Sequence, residues 1–285
     1  MLTDSAVFDR LGKSPAECAR MVAEITEIAD THAPARVWKQ EWRWAGGAEG
    51  DAFERALLRC AAAETAPQIE NLPVYDTVKA LLRDEFRFYT QPAAGSSFET
   101  GGYLFVTGCK VISLRRFPAG PMDWEISGFP RSWLLKMPKS DLPRVVWFLC
   151  SRVGGFAPLF FMHVARRPKN RGLLVEKEVL RSYYRMTRSL ELQPSIKGIL
   201  ASAWFHDPAV VAANPHLAWL NRPYLEEGGL IATTGPAAAD AGFSEHNTDR
   251  ERRHASGQLQ YRIGVAIWPR AAALGWARQH PELAT

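Results

Sequence analysis

The chain is short of cysteine, and its four, at positions 18, 60, 109 and 150, form no C-x-x-C pair. Such spacing suits neither a zinc knuckle nor a disulfide framework, so reduced thiols in cytoplasm are expected. Long apolar runs are missing too. Val145 to Cys150 and Ile263 to Trp268 are about strand length, far from the roughly 20 residues that cross a bilayer, and no membrane span is expected. Met1 to Lys13 carries Asp4 and Asp9 where a signal peptide needs a cationic and then an apolar stretch, so export is not expected. There is no G-x-G-x-x-G after a strand and no G-x-S-x-G elbow, which removes the geometric starting points of dinucleotide and hydrolase sites. Gly12-Lys13-Ser14 matches the end of a P-loop, but the first glycine of that pattern falls on Val7. The histidine–carboxylate pairs Glu245-His246 and His206-Asp207 are adjacent, not one helical turn apart, and no metal is expected. No internal repeat is present.

What remains is an ordinary globular composition. With 47% hydrophobic and 23% charged residues in 285, the chain can bury a full core. Thirty-five Lys and Arg against 30 Asp and Glu leave a net charge of +5. That excess suits an anionic ligand such as a coenzyme, a carrier protein or RNA, and equally an arginine-rich proteome.

The amino-terminal part, 1–97, reads as helical. Ser14-Pro15-Ala16-Glu17 is a capping box with proline at the first helical position, and Cys18, Met21, Val22, Ile25, Ile28 and Ala29 follow at helical spacing. A second box, Asp51 to Glu54, opens a helix carrying Phe53, Leu57 and Cys60, and Val74, Val78, Leu81, Leu82 and Phe86 mark a third. Trp38, Trp42 and Trp44 lie between the first two, as local core or as the wall of a ligand cleft. Gln91 to Ser97, with proline, glycine and paired serines, is the linker candidate.

Residues 98–285 read as mixed α/β. Gly102 to Val106, Lys110 to Arg115, Arg144 to Arg152 and Pro158 to Ala165 are rich in β-formers and suit antiparallel hairpins. Trp124 to Phe129 reads as irregular, with a short helix at 132–137. The period then changes: a helix through Val175, Val179, Tyr183, Met186 and Leu190, a buried strand Gly198 to Phe205, and a helix capped by Asp207 with Pro208 in its first turn. Two more strands, Gly229 to Thr234 and Tyr261 to Trp268, flank a polar insert near 248–255, whose basic residues are interleaved with Asp249 and Glu251. A short helix with Leu274 and Trp276 ends the chain. A helix between neighbouring strands gives a parallel crossover, so the sheet is mixed.

The element that carries chemistry lies between Phe160 and Leu190. An apolar strand runs into a basic loop with Arg167, Lys169, Asn170 and Arg171, closed by Gly172 just before a helix. Free amides at a helix start, beside cations, form a phosphate-binding arrangement. A solvated basic turn is the plainer reading.

This order of elements over residues 102–268 resembles the GNAT superfamily of N-acyltransferases. The family commonly has Gln or Arg, two variable residues, Gly, one variable residue and Gly or Ala at this loop. Here Lys169 takes the first place, Gly172 the fourth and Leu174 the last. The resemblance implies a GNAT-like sheet with flanking helices, strands that part on either side of the central helix, and an acyl thioester in the gap. Its pyrophosphate would lie on Arg167, Lys169, Asn170, Arg171 and Gly172. The thioester would belong to acyl-coenzyme A or to the phosphopantetheine of an acyl carrier protein. The acceptor would be an amine of a small molecule or peptide.

Candidate catalytic groups sit near that gap. His163 interrupts an apolar strand, and Ser202, Trp204 and His206 alternate on the next, which puts these three on one face if pairing stays regular. A histidine titrates near neutrality and can take a proton from an amine; each is also explicable as a hydrogen-bonded core residue, and His206 as part of a helix cap. Tyr224 is the candidate general acid. The reading favours an enzyme. A non-catalytic ligand- or partner-binding protein of the same architecture remains open, as does transfer from aminoacyl-tRNA, although no RNA-binding module is recognisable and nucleic acid is not expected.

Overall fold

Ser14 and Glu17 start the first described helix, α1 (Pro15–Thr31), as a reciprocal box: the Ser14 amide and hydroxyl donate to Glu17 Oε2 at 2.8 and 2.9 Å, and the Glu17 amide donates to Ser14 Oγ at 3.3 Å. Those bonds hold the Glu17 carboxyl below its ordinary range. The computed structural model describes residues 12–31, 48–91, 102–165, 175–236, 252, 256–257 and 261–284. Trp38, Trp42, Trp44, the linker candidate from residue 92 and nearly all of the insert at 248–255 lie outside them. The chain divides into two units, one of residues up to 72 with 76–118, the other of 73–75 with 119–285.

In the first unit, Cys18, Val22, Ile25 and Ala29 form the buried stripe of α1, while Ile28 points outward. Helix α2 (Ala48–Thr65) begins three residues before the expected box, leaving Asp51 exposed within it. Its buried side is mostly small: Ala52, Ala56, Leu57, Leu58, Cys60, Ala61 and Ala62. Helix α3 (Asp76–Thr90) buries Val78, Leu82, Phe86 and Tyr89 at steps of four, four and three. The first correction concerns Gly102 to Arg115, expected as a hairpin. Residues Gly102–Ile112 form a helix, α4, that buries Phe105, Cys109 and Ile112. Gly108 is its packing face, not a turn: a Cβ there would stand 3.0 Å from Leu58 Cδ1 and 3.3 Å from the Tyr89 hydroxyl. β-Formers such as Val106 and Val111 suggested strands, and tertiary burial overrode that weak preference. Strand β1 (Arg116–Pro118) ends this unit.

The second unit is built on a mixed sheet. Its strands are β2 (Met122–Ser127), β3 (Leu159–Val164), β4 (Gly198–Ala203), β5 (Leu230–Pro236) and β6 (Arg262–Pro269), in the order β2-β3-β4-β6-β5. Only β3 and β4 are parallel, joined across α7 (Glu176–Glu191) as the crossover rule requires. Before it come α5 (Arg131–Leu134) and α6 (Leu142–Phe148). Two expectations change. Arg144 to Arg152 is not a strand: α6 runs into a wide turn, Leu149–Val153, closed by left-handed Gly154. Pro143 in its first turn and the spacing of buried Val145, Phe148, Leu149 and Val153 were the available helix signals. Trp124 to Ser127 is not irregular but the greater part of β2, in which Met122 and Trp124 face one side of the sheet and Asp123 and Glu125 the other, while Gly128 and Phe129 are irregular as expected.

Each face of the sheet has its own cover. On one, Leu159, Leu200, Val265, Ile267, Leu230 and Ala232 meet Phe129, Met137, Val145, Phe148 and Leu149. On the other, Trp124 lies 5.4 Å from Phe160, and Trp268 takes Tyr183 of α7 at 6.1 Å and Trp276 of α10 (Arg270–Gln279) at 5.3 Å. After β4, α8 (Pro208–Ala213) is capped as expected, with Asp207 Oδ1 accepting from the Ala209 amide at 3.0 Å.

Candidate functional site

The place where β3 and β4 stop pairing defines the site. Their partners are Phe160 with Ile199, Phe161 with Leu200 and Met162 with Ala201. Pairing ends there, although β3 stays paired with β2 through Val164 opposite Met122, and β4 with β6 through Ala203 opposite Gly264. The carboxyl ends of the two parallel strands are therefore held from outside and unpaired between. His163 and Ser202 are the first residues past the last pair, both half-buried and both on the face of Phe161 and Leu200. Carboxyl ends of parallel strands are where open α/β sheets receive ligands.

His163 is not isolated. Its Nε2 stands 3.2 Å from Glu125 Oε1 on β2, with the two side chains 22% and 17% exposed. Asp123 is its register partner on β2. Its ring lies 4.5 Å from Phe161, which stacks edge-on with Trp133 of α5 at 5.8 Å. Glu125 was missed in the sequence because its segment read as irregular; the alternation Met122, Asp123, Trp124, Glu125 was the signal that could have placed it.

The expected shared face of Ser202, Trp204 and His206 does not form. The strand ends at Ala203 and Trp204–His206 is a 3₁₀ turn, where the side-chain period becomes three. His206 turns to the opposite side of the sheet, fully buried, with its ring 5.7 Å from Tyr224. Tyr224, on α9 (Arg222–Glu226), packs on Tyr183 and Trp268. The four candidates thus form two pairs, His163 with Ser202 and His206 with Tyr224. Burial pushes His206 down to about 4, only partly offset by Asn221, whose Oδ1 lies 2.5 Å from Nδ1. Burial, then the neighbouring Tyr183, drives the Tyr224 phenol well above its ordinary range. At neutral pH both are uncharged.

Arg167, Lys169, Asn170, Arg171 and Gly172 lie outside the described residues. The helix they lead to starts after Val175, which caps it with no side-chain bond, and its first turn holds Glu176 and Glu178. Glu178 meets Arg181 at 2.5 Å and Glu176 meets Arg222 at 3.7 Å. Among the described residues, no group of three or more His, Cys, Asp and Glu side chains could hold a metal ion, and no helix is long and apolar enough to cross a membrane.

No family model matches the sequence, and no curated protein does. Crystal structures that match the fold include two of acyltransferases. One is an acyltransferase in complex with decanoyl-CoA and teicoplanin, at 12% identity and a TM-score of 0.53, with 88% of this chain and 76% of that one covered. The other is an acyltransferase in complex with CoA and 10C-teicoplanin, at 12% identity and a TM-score of 0.51, with the same coverage. At that identity the likeness is one of architecture: the chain has a mixed α/β fold shared with acyltransferases that have been crystallised with coenzyme A ligands.

Proposed function

We propose that this protein is an N-acyltransferase of GNAT-like architecture, moving an acyl group from a coenzyme A or carrier-protein thioester to an amine of a small molecule or peptide. The observation that carries this reading is the loss of pairing between β3 and β4 beyond Met162 and Ala201. An extended pantetheine can offer backbone-like polar groups to such unpaired strand ends. His163 accepts the proton as the amine nitrogen bonds to the thioester carbonyl. The C–S bond then breaks, and the leaving thiolate takes the proton that His163 has accepted, so the coenzyme departs as a thiol and the ring returns to its neutral form. Ser202, across the parting, is the candidate donor to the carbonyl oxygen. Arg167, Lys169, Asn170, Arg171 and Gly172 cradle the pyrophosphate in this reading. His206 and Tyr224 support β4 from the opposite face.

One observation favours the non-catalytic alternative: Glu176 and Glu178 occupy the helix start on which an anion would rest. Titration calorimetry with coenzyme A, acetyl-coenzyme A and a longer acyl thioester separates the two. Binding at millimolar affinity or better, weakened by Arg171→Glu, is expected. Absence of binding by every thioester refutes the coenzyme reading.

A further inference from the structure

We infer that the outer side of the segment 131–156 is a docking surface for an anionic lipid bilayer. The inference stands apart from the acyl-transfer reading. Its starting point is that α6, with the wide turn after it, is apolar on two sides. Val145, Phe148, Leu149 and Val153 are buried in the core over the sheet. Pro143, Val146, Trp147 and Cys150, spaced i, i+3, i+4 and i+7, are exposed on the other side. Trp147 is 62% exposed, and Leu135, in the turn after α5, is 89% exposed. Phe156, also exposed, follows the wide turn, and Arg131 of α5 lies over its ring at 5.2 Å. Exposed apolar residues are ordinary when single, but a group of them rimmed by polar residues marks an interaction surface.

The segment is tied to the edge strand β5. Arg144 donates to the Ile231 carbonyl at 2.9 Å, Asp141 Oδ2 accepts from the Thr233 amide at 3.4 Å and its hydroxyl at 3.3 Å, and Lys136 runs beside Gly235. Residues 136, 141 and 144 thus follow alternate residues of β5 over roughly 13 Å, which joins the Leu135 turn to the start of α6. Charge decides the occupant. Residues 131–156 hold five exposed cations, Arg131, Lys136, Lys139, Arg144 and Arg152, against the single acid Asp141. The difference, five less one or +4, is nearly all of the chain's +5, so the partner is anionic. The apolar groups project singly from a turn, a helix and a loop. A bilayer interface takes such side chains without matching pockets, whereas a protein partner needs pockets shaped to its anchors. An indole at headgroup level, with Lys and Arg reaching lipid phosphates, is the chemistry of an interfacial patch.

The experiment is co-sedimentation of the full chain with vesicles of phosphatidylcholine alone and of phosphatidylcholine mixed with phosphatidylglycerol, in about 0.1 M and about 1 M salt. Wild type should bind the mixed vesicles at low salt, much less at high salt, and the neutral vesicles least. Trp147→Ser should lower the partition about tenfold or more, and Lys136→Gln with Lys139→Gln about fivefold for each cation removed. Leu225→Ser, which removes an exposed apolar group from α9 elsewhere on the unit, should leave the partition unchanged. Thermal unfolding checks that each variant is folded. Failure of wild type to bind the mixed vesicles, or binding that the Trp147 and lysine variants leave intact, overturns the inference and leaves an acidic protein as the occupant. A dimer in analytical ultracentrifugation that Trp147→Ser dissolves overturns it too, and assigns the face to a second copy of the chain.

Discussion

Mild acid should destabilise the second unit through a single buried ring. His206 is wholly buried and held at about 4, while the same side chain in the unfolded chain titrates at its ordinary 6.5. Above 6.5 both states keep it neutral, and it has no effect on the pH dependence. Below 6.5 the unfolded chain takes up a proton that the folded chain refuses, so stability falls as pH falls, down to about 4 where the folded ring also titrates. The slope is at most about 1.4 kcal/mol per pH unit, and the loss by pH 4.5 is roughly 2–3 kcal/mol. That is a large share of the about 5–15 kcal/mol that holds a typical domain folded. His206→Gln removes the titration and keeps an amide that can reach Asn221. Urea unfolding followed by circular dichroism at pH 7.5, 6.5, 5.5 and 4.5 should give two stability curves that converge as pH falls, with wild type losing the extra 2–3 kcal/mol. Parallel curves, or a His206 resonance that titrates near 6.5, would show that the ring is not sealed as described.

Two further substitutions test the backbone around the site. A Cβ on Gly264 would overlap the backbone of His206 and Asp207, so Gly264→Ala should cost about 3 kcal/mol or more by overpacking, read as a fall in the urea midpoint, and a midpoint near wild type would contradict that close approach. Gly154 has open space around it but a φ of +85°; Gly154→Ala should cost about 1–2 kcal/mol from left-handed backbone alone, and Gly154→Asn distinctly less, so equal losses would point to some cause other than conformation.

Several features were legible in the chain because their partners are near in sequence. The Ser14–Glu17 box closes over three residues, Asp207 reaches Ala209, and the stripe of α7 repeats within its own sixteen residues. The succession of strand, helix and strand around α7 was readable for the same reason, and with it the mixed sheet, since a helical crossover leaves little choice but parallel pairing. The basic loop before that helix is visible only as sequence.

Other features were settled by contacts across long separations. Gly102–Ile112 is helical because Phe105, Cys109 and Ile112 all find a buried side, and Gly108 admits Leu58, fifty residues earlier in the chain. Glu125 and His163 lie nearly forty residues apart and meet through the β2–β3 register. His206 left the face of Ser202 when β4 gave way to a 3₁₀ turn, a change of period that no local pattern announced. The end of β3–β4 pairing depends on β2 and β6, which hold the two strands from outside. Caps and helical stripes are short-range chemistry and can be read along the chain, whereas which strand ends stay unpaired, and which acid stands beside which histidine, depends on the packing of the whole sheet.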